Sequence, residues 1–245
     1  MTSRKHDKEI VFLDGRNDTF EFECGACGRC CGEFTIILTP YDIIRLRRAT
    51  GHDTDELVNR GIIYIERMQF KKAFGFGPVA AMFEALGVSQ NDVIPVALLG
   101  LKADSLGKSA CEFLSPPGNG RRLCGVYEHR PGMCRLHPLG CVTVDGEREW
   151  FFRKPLCDAG KGKTHTVESW LDESEMEPYL EANARYLTWM QDLLGHCELF
   201  SSVAEGDWKK LEMILFGLSR DGTTSTTMDT IEEEFRQWLS SVFKQ

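Results

Sequence analysis

Cys24-Gly25-Ala26-Cys27-Gly28-Arg29-Cys30-Cys31-Gly32 places four cysteines in eight residues, with glycines between and after them. A single cysteine can fill a core as a small hydrophobe. Four on a glycine-rich loop have no apolar neighbours to be buried with. A C-x-x-C spacing brings two sulfurs onto one ion, and the glycines let backbone N–H groups turn toward the sulfurs and offset their charge. The stretch therefore reads as a metal or iron–sulfur loop, ahead of disulfides or idle thiols. In an extended chain adjacent side chains point to opposite sides. On that reading Cys30 and Cys31 serve different centres, or one of them lies outside the ligand shell.

A second group of cysteines follows after a long gap: Cys111, Cys124, Cys134, Cys141 and Cys157. Of the ten cysteines, Cys197 alone stands apart, in an apolar helical stretch, and reads as a core thiol.

The 245 residues suffice for one large domain or two small ones. Apolar content of 42% and charged content of 27% are ordinary for a globular protein. A net charge of −8 argues against nucleic acid as a partner, because a binding face needs clustered Lys and Arg. The dense basic run, Arg45, Arg47 and Arg48, reads as one solvated helix face. Met1 to Ile10 is polar and charged with no apolar run after it. No stretch of about eighteen apolar residues exists, so no membrane span is expected. The expected location is cytoplasmic, where so many cysteines point to metal or redox chemistry more than to disulfides.

Along the chain, Val11–Leu13 and Phe20–Glu23 read as short strands. Phe20 and Phe22 would pack one face while the strand delivers Cys24 to its loop. Phe34–Leu38 is β-branched and apolar, a strand. It leads into a strong helix start: Thr39 as N-cap, Pro40 in the first helical position and Asp42 closing the box. That helix is expected over 40–50, ending at Gly51. A short helix follows through Asn59. Within residues 62–100, Gly75-Phe76-Gly77-Pro78 marks a loop and 79–86 reads as a short helix; the scattered aromatics either shape a pocket or cover the cysteine core, covering being preferred because lone aromatics are mostly packing. Strands at 93–102 and 109–114 are expected to pair, and Asp145-Gly146 marks a hairpin between 141–144 and 148–153. Helices are expected at 167–171, 175–199, 208–218 and after Ser225, with Ile231, Phe235, Trp238, Leu239 and Val242 on one side of the last.

These residues resemble the cysteine-cluster family called YkgJ-like, a zinc- or iron-chelating domain with the signature C-x-x-C-x-x-C-C. The signature stands here as Cys24, Cys27, Cys30 and Cys31. Similar also are the Thr39-Pro40 helix start, Cys111-Glu112-Phe113-Leu114, Cys124-Gly125-Val126-Tyr127, Arg130-Pro131, Cys134-Arg135-Leu136-His137-Pro138, and Cys157 with the glycines after it. The match covers about residues 20–162. The resemblance implies eight metal-binding cysteines: Cys24, Cys27, Cys30, Cys31, Cys111, Cys124, Cys134 and Cys157. Cys141 is outside the pattern and stands open as ligand, substitute or bystander. The flagellin lysine methylase, regarded as an iron–sulfur protein, is a relative with a similar cluster.

Eight thiolates fill two four-coordinate sites, or one with spares. Zinc and a [4Fe–4S] cluster both accept four cysteines. The early cluster has no histidine beside it, which tips the expectation toward iron–sulfur, with [4Fe–4S] favoured. His129 and His137 read as exposed or hydrogen-bonded. Arg130 and Arg135 either balance cluster charge or simply pack, with Arg135 exposed. Three functions follow. The first is an all-cysteine iron–sulfur protein in electron transfer or metal handling, with a protein or redox partner. The second is a structural zinc protein acting as an interaction scaffold. The third is an iron–sulfur-dependent group-transfer enzyme resembling the methylase. The expected architecture is α+β: an irregular cysteine-rich domain of short strands and helices over 1–162, then a mostly helical region over 163–245.

Overall fold

Short strands and short helices alternate through the first two thirds of the chain and helices take over afterwards, an α+β architecture. The computed structural model describes residues 10–69, 93–103, 107, 109–116, 120–144, 147–154, 162–219 and 226–243. The chain divides into two compact units that interleave along the sequence. The composition boundary at residue 162 falls inside the first.

The first unit takes residues 1–34, 101–127 and 132–178. Its strands are β1 (Ile10–Leu13) and β2 (Thr19–Glu21). After the cysteine loop come the one-turn helix α1 (Cys30–Glu33) and, from the second segment, β6 (Leu101–Ala103) and β7 (Ser109–Cys111). The third segment carries α4 (Gly132–Leu136), β8 (Leu139–Val144), β9 (Glu147–Arg153), β10 (Thr164–Thr166) and α5 (Val167–Glu173). All its sheets are antiparallel and small: β1-β9-β8, β10-β2 and β6-β7. The expected hairpin is present as β8–β9, with Cys141 opposite Trp150. Phe20 and Phe22 are both buried, as their alternation predicts.

The second unit takes residues 35–100, 128–131 and 179–245. β3 (Ile37–Leu38) and β4 (Ile63–Gln69) flank β5 (Val93–Leu99) in a three-stranded antiparallel sheet. Its helices are α2 (Pro40–Thr50), α3 (Thr54–Asn59), most of α6 (Glu177–Leu194), α7 (Glu205–Phe216) and α8 (Met228–Val242). The Thr39 capping box closes as expected: the Asp42 amide donates to Thr39 Oγ1 at 3.3 Å and the Thr39 amide donates to Asp42 Oδ2 at 2.8 Å. Gly51 ends α2 in the left-handed region. Ile231, Phe235 and Trp238 of α8 are buried. No helix among the described residues is long and apolar enough to cross a membrane.

Several expectations are corrected. Residues 63–69 form a strand that the sequence does not mark, and β5 pairs with β3 and β4 and not with the strand at 109–111. Among the described residues, it is 101–103 that pairs with the strand at 109–111. Gly100 makes the break: its amide donates to Ile62 O at 2.7 Å, and a Cβ there would overlap the Gly61 carbonyl. The helix expected over 175–199 ends at Leu194, and Cys197 opens a separate 3-10 turn where it is only half-buried. The basic run on α2 is not a solvated face, because Arg47 is 2% exposed and donates to Thr226 Oγ1 at 3.4 Å. The helix expected at 79–86 lies outside the described residues.

Candidate metal centre

The root of the cysteine loop is built from aromatic rings. Phe22 meets His137 and Trp170 edge-on, with centroids 5.8 and 5.5 Å apart. Phe20 stacks on His165 at 5.7 Å. His165 is buried and its Nε2 lies 3.2 Å from Phe22 O, while Trp170 Nε1 donates to Leu136 O at 3.0 Å. Phe34, on the far side of the loop, also reaches His137, at 5.6 Å. One imidazole thus touches both ends of the loop, and each buried Phe contributes about 1.5–3 kcal/mol to holding that root.

The rest of the loop lies against the second cysteine group. The Arg122 amide donates to Ala26 O at 2.6 Å. Ala26 has φ 52, a strained conformation for a residue with a Cβ, costing roughly 1–2 kcal/mol. Gly28, at φ 73, faces Leu114 and Arg122 with room for no side chain. Helix α1 packs on β7, and a Cβ at Gly32 would run into the Ser109 carbonyl oxygen. Cys111 ends β7, and the 111–114 turn is pinned to Cys124 by the Leu114–Cys124 bridge and the Gly125 N–H to Phe113 O bond at 2.7 Å. Cys134 sits on α4, three residues before His137. The strand after Cys157 returns to the same root: the Phe22 amide donates to Lys163 O at 3.1 Å, and β10 pairs with β2.

The structure thus brings the segments that carry Cys111, Cys124 and Cys134 to the cysteine loop and its root, as segments and not as a finished shell. Among the described residues no three Cys, His, Asp or Glu side chains converge on one point. Cys24 and Cys27 are exposed, and Cys30, Cys31, Cys111, Cys124 and Cys134 are half-buried. No disulfide joins any of the nine described cysteines. Cys157 lies outside the described residues.

At Cys111 the surroundings pull both ways on the thiolate that a metal binds. Burial pushes the Cys111 thiol up to about 11, with Cys124 and Glu112 adding to the rise, while backbone amides of Phe113 and Leu114 act the other way by hydrogen-bonding the sulfur. Amides aimed at a sulfur offset the charge a ligating thiolate carries. Cys30 and Cys31 have their sulfurs 3.9 Å apart. The neighbouring thiol, with burial behind it, drives Cys30 far above the usual thiol range. Adjacent cysteines here do not face opposite ways, because α1 is a helical turn and not extended chain. Cys141 is half-buried on β8, and burial pushes it up to about 11.

A family model described as "Putative zinc- or iron-chelating domain", with the signature CxxCxxCC, matches residues 23–158. The chain belongs to this family. The matched region contains the four cysteines of the signature, Cys24, Cys27, Cys30 and Cys31, and also Cys111, Cys124, Cys134 and Cys157, thiols whose chemistry suits zinc or iron. No curated protein and no solved structure matches the chain.

Arg135 is not exposed. It is 4% accessible and donates to Ser174 O at 2.6 Å, with Glu175 Oε2 at 3.6 Å, so it ties α4 and its Cys134 to the end of α5. Sequence reasoning also missed His165, Trp170 and Arg122 as supports of the loop. The three-residue strand carrying His165 is too short to show a period, and Arg122 acts on the loop through its backbone.

Proposed function

We propose that this zinc- or iron-chelating protein holds an iron–sulfur centre through its cysteines and serves electron transfer or metal handling. The observation that carries this reading is the pairing of amide-supported, half-buried sulfur at Cys111 with exposed Cys24 and Cys27 on the same loop assembly. N–H donors around sulfur tune the potential of thiolate-bound iron, and an exposed edge lets electrons or metal pass to a protein partner. The C-x-x-C-x-x-C run, Cys24, Cys27 and Cys30, suits thiolate ligation of an iron–sulfur centre. In this reading Cys24, Cys27, Cys30, Cys31, Cys111, Cys124, Cys134 and Cys157 supply the ligands.

The test is iron, zinc and acid-labile sulfide per chain, with a visible spectrum, on protein purified without air. Iron and sulfide in equal amounts with broad visible absorption support the iron–sulfur reading. A colourless protein with one or two zincs and no sulfide overturns it. A zinc scaffold is the second reading, and the separation of the Cys30 and Cys31 sulfurs favours it. Four thiolates around a zinc make a closed site that staples a fold.

A further inference from the structure

We propose that Cys30 and Cys31 bind one and the same metal ion as an adjacent chelating pair, so that the centre they share is mononuclear or two-iron and not a four-iron cubane. The inference rests on the metal-binding reading above and specifies how two of its ligands are used.

Four sulfurs about 2.3 Å from a tetrahedral ion stand about 3.8 Å from one another. The Cys30 and Cys31 sulfurs are 3.9 Å apart. The pair is therefore already set at the edge of a thiolate tetrahedron. A [4Fe–4S] cube takes one cysteine on each iron, and its irons are bridged through sulfide. Cysteine sulfurs on different corners stand much farther apart than this edge.

The backbone explains why the pair is set that way. Side chains one residue apart diverge in a strand. In α1 the chain turns instead, the Gly32 amide donating to Arg29 O at 3.0 Å. That turn survives only because Gly32 lets it lie on the Ser109 carbonyl. Cys-Cys-Gly-Glu has little helix propensity of its own, so the packing of α1 on β7 holds the two sulfurs on one side. The same packing sets β7, the strand that ends in Cys111, against α1.

The test uses the full unmutated chain loaded with cadmium-113, a stand-in for zinc that is visible by NMR. Proton–cadmium correlation links each ligating cysteine's β-protons to the ion it holds. The expected result is that the β-protons of Cys30 and Cys31 correlate to a single cadmium resonance. In Cys30→Ser that resonance is lost or shifted, and any resonance not shared with Cys31 stays, which also reports that the variant is folded. Correlation of the two residues to different resonances overturns the proposal, as does a bound ion that couples to only one of them. A chain that gives no bound cadmium resonance at all overturns the metal-binding reading itself. Bound cadmium held by other cysteines, with Cys30 and Cys31 uncoupled, overturns the pairing alone.

Discussion

The two units of this chain solve the same problem with different means. In the second, burial does the work: Ile43, Leu46, Leu57, Ile63, Val96, Trp189, Leu211, Phe235 and Trp238 are at most 2% exposed, spread over five helices and a sheet. The first has a thinner core. Trp150, Val167, Leu171 and Met176 are as deeply buried, but its sheets have two or three strands and several of its strands only three residues. Small sheets of this kind are marginal alone, and cores this sparse need a staple. On the proposed ligand set, drawn from residues 24 to 157, the cysteines supply it by closing long loops that apolar contacts do not. Stability in the second unit is thus written in hydrophobic spacing, and in the first, on the proposed function, it depends on metal.

The largest expected effect follows from that contrast. Stripping the metal from the full chain should remove protection from amide exchange across β2, α1, β7 and α4 while the amides of α6, α7 and α8 stay protected. Structural zinc sites contribute on the order of 10–16 kcal/mol, far above what the sheets of the first unit can replace. Equal protection in both units after stripping would erase the distinction. The converse variant, Trp238→Ala, acts on the other side. Trp238 is 1% exposed, lies against Phe235, Trp208 and Phe243, and donates to Asp207 O at 2.9 Å. Its truncation should cost about 3–5 kcal/mol of stability in denaturant, with metal per chain unchanged. Loss of metal from this variant would mean that the units are not separable.

What could be read from the sequence follows the range of the interaction. Thr39, Pro40, Asp42 and Gly51 act within one turn, and both ends of α2 were legible from residue types alone. The cysteine loop was legible because thiol density is a chemical signal that needs no partner. Partnering was not. The β10–β2 pairing sets His165 opposite Phe20, far apart in the sequence, through three-residue strands that leave no period to read. The direction of Cys30 and Cys31 depends on a carbonyl at Ser109. Arg47 is different, because its signal was present: with Pro40, Ile43 and Ile44 it continues the spacing of the buried stripe on α2. Reading it by charge and not by position put it in solvent.

A smaller effect sharpens the account of the first unit. Gly32→Ala places a methyl group into the Ser109 carbonyl, and separating α1 from β7 should cost about 1–3 kcal/mol. If α1 sets the geometry of the two sulfurs, that cost appears as roughly ten- to hundredfold weaker metal binding in a competition titration. Gly25→Ala is the control, since nothing lies within 4 Å of a Cβ there, and its affinity should match the unmutated chain. Equal affinities for all three chains would show that the packing of α1 on β7 is not what orders the site.

The smallest effect belongs to the second unit and appears only at alkaline pH. Tyr186 is 3% exposed, edge-on to Trp189 at 6.3 Å, and burial raises its phenol above the ordinary value of 10.0. Above that pH the unfolded chain loses this proton and the folded chain keeps it. The native state then binds more protons than the unfolded state, so stability falls as pH rises, by up to about 1.4 kcal/mol per pH unit from this residue. Below pH 10 the residue contributes no slope. Tyr186→Phe has no proton to lose, so its helix unfolding in urea should weaken less than that of the unmutated chain once pH exceeds 10, the gap widening with pH. Parallel curves would mean that the phenol ionises equally in both states. Tyr186 would then not be sealed from water, and the second unit would owe less to burial than its packing implies.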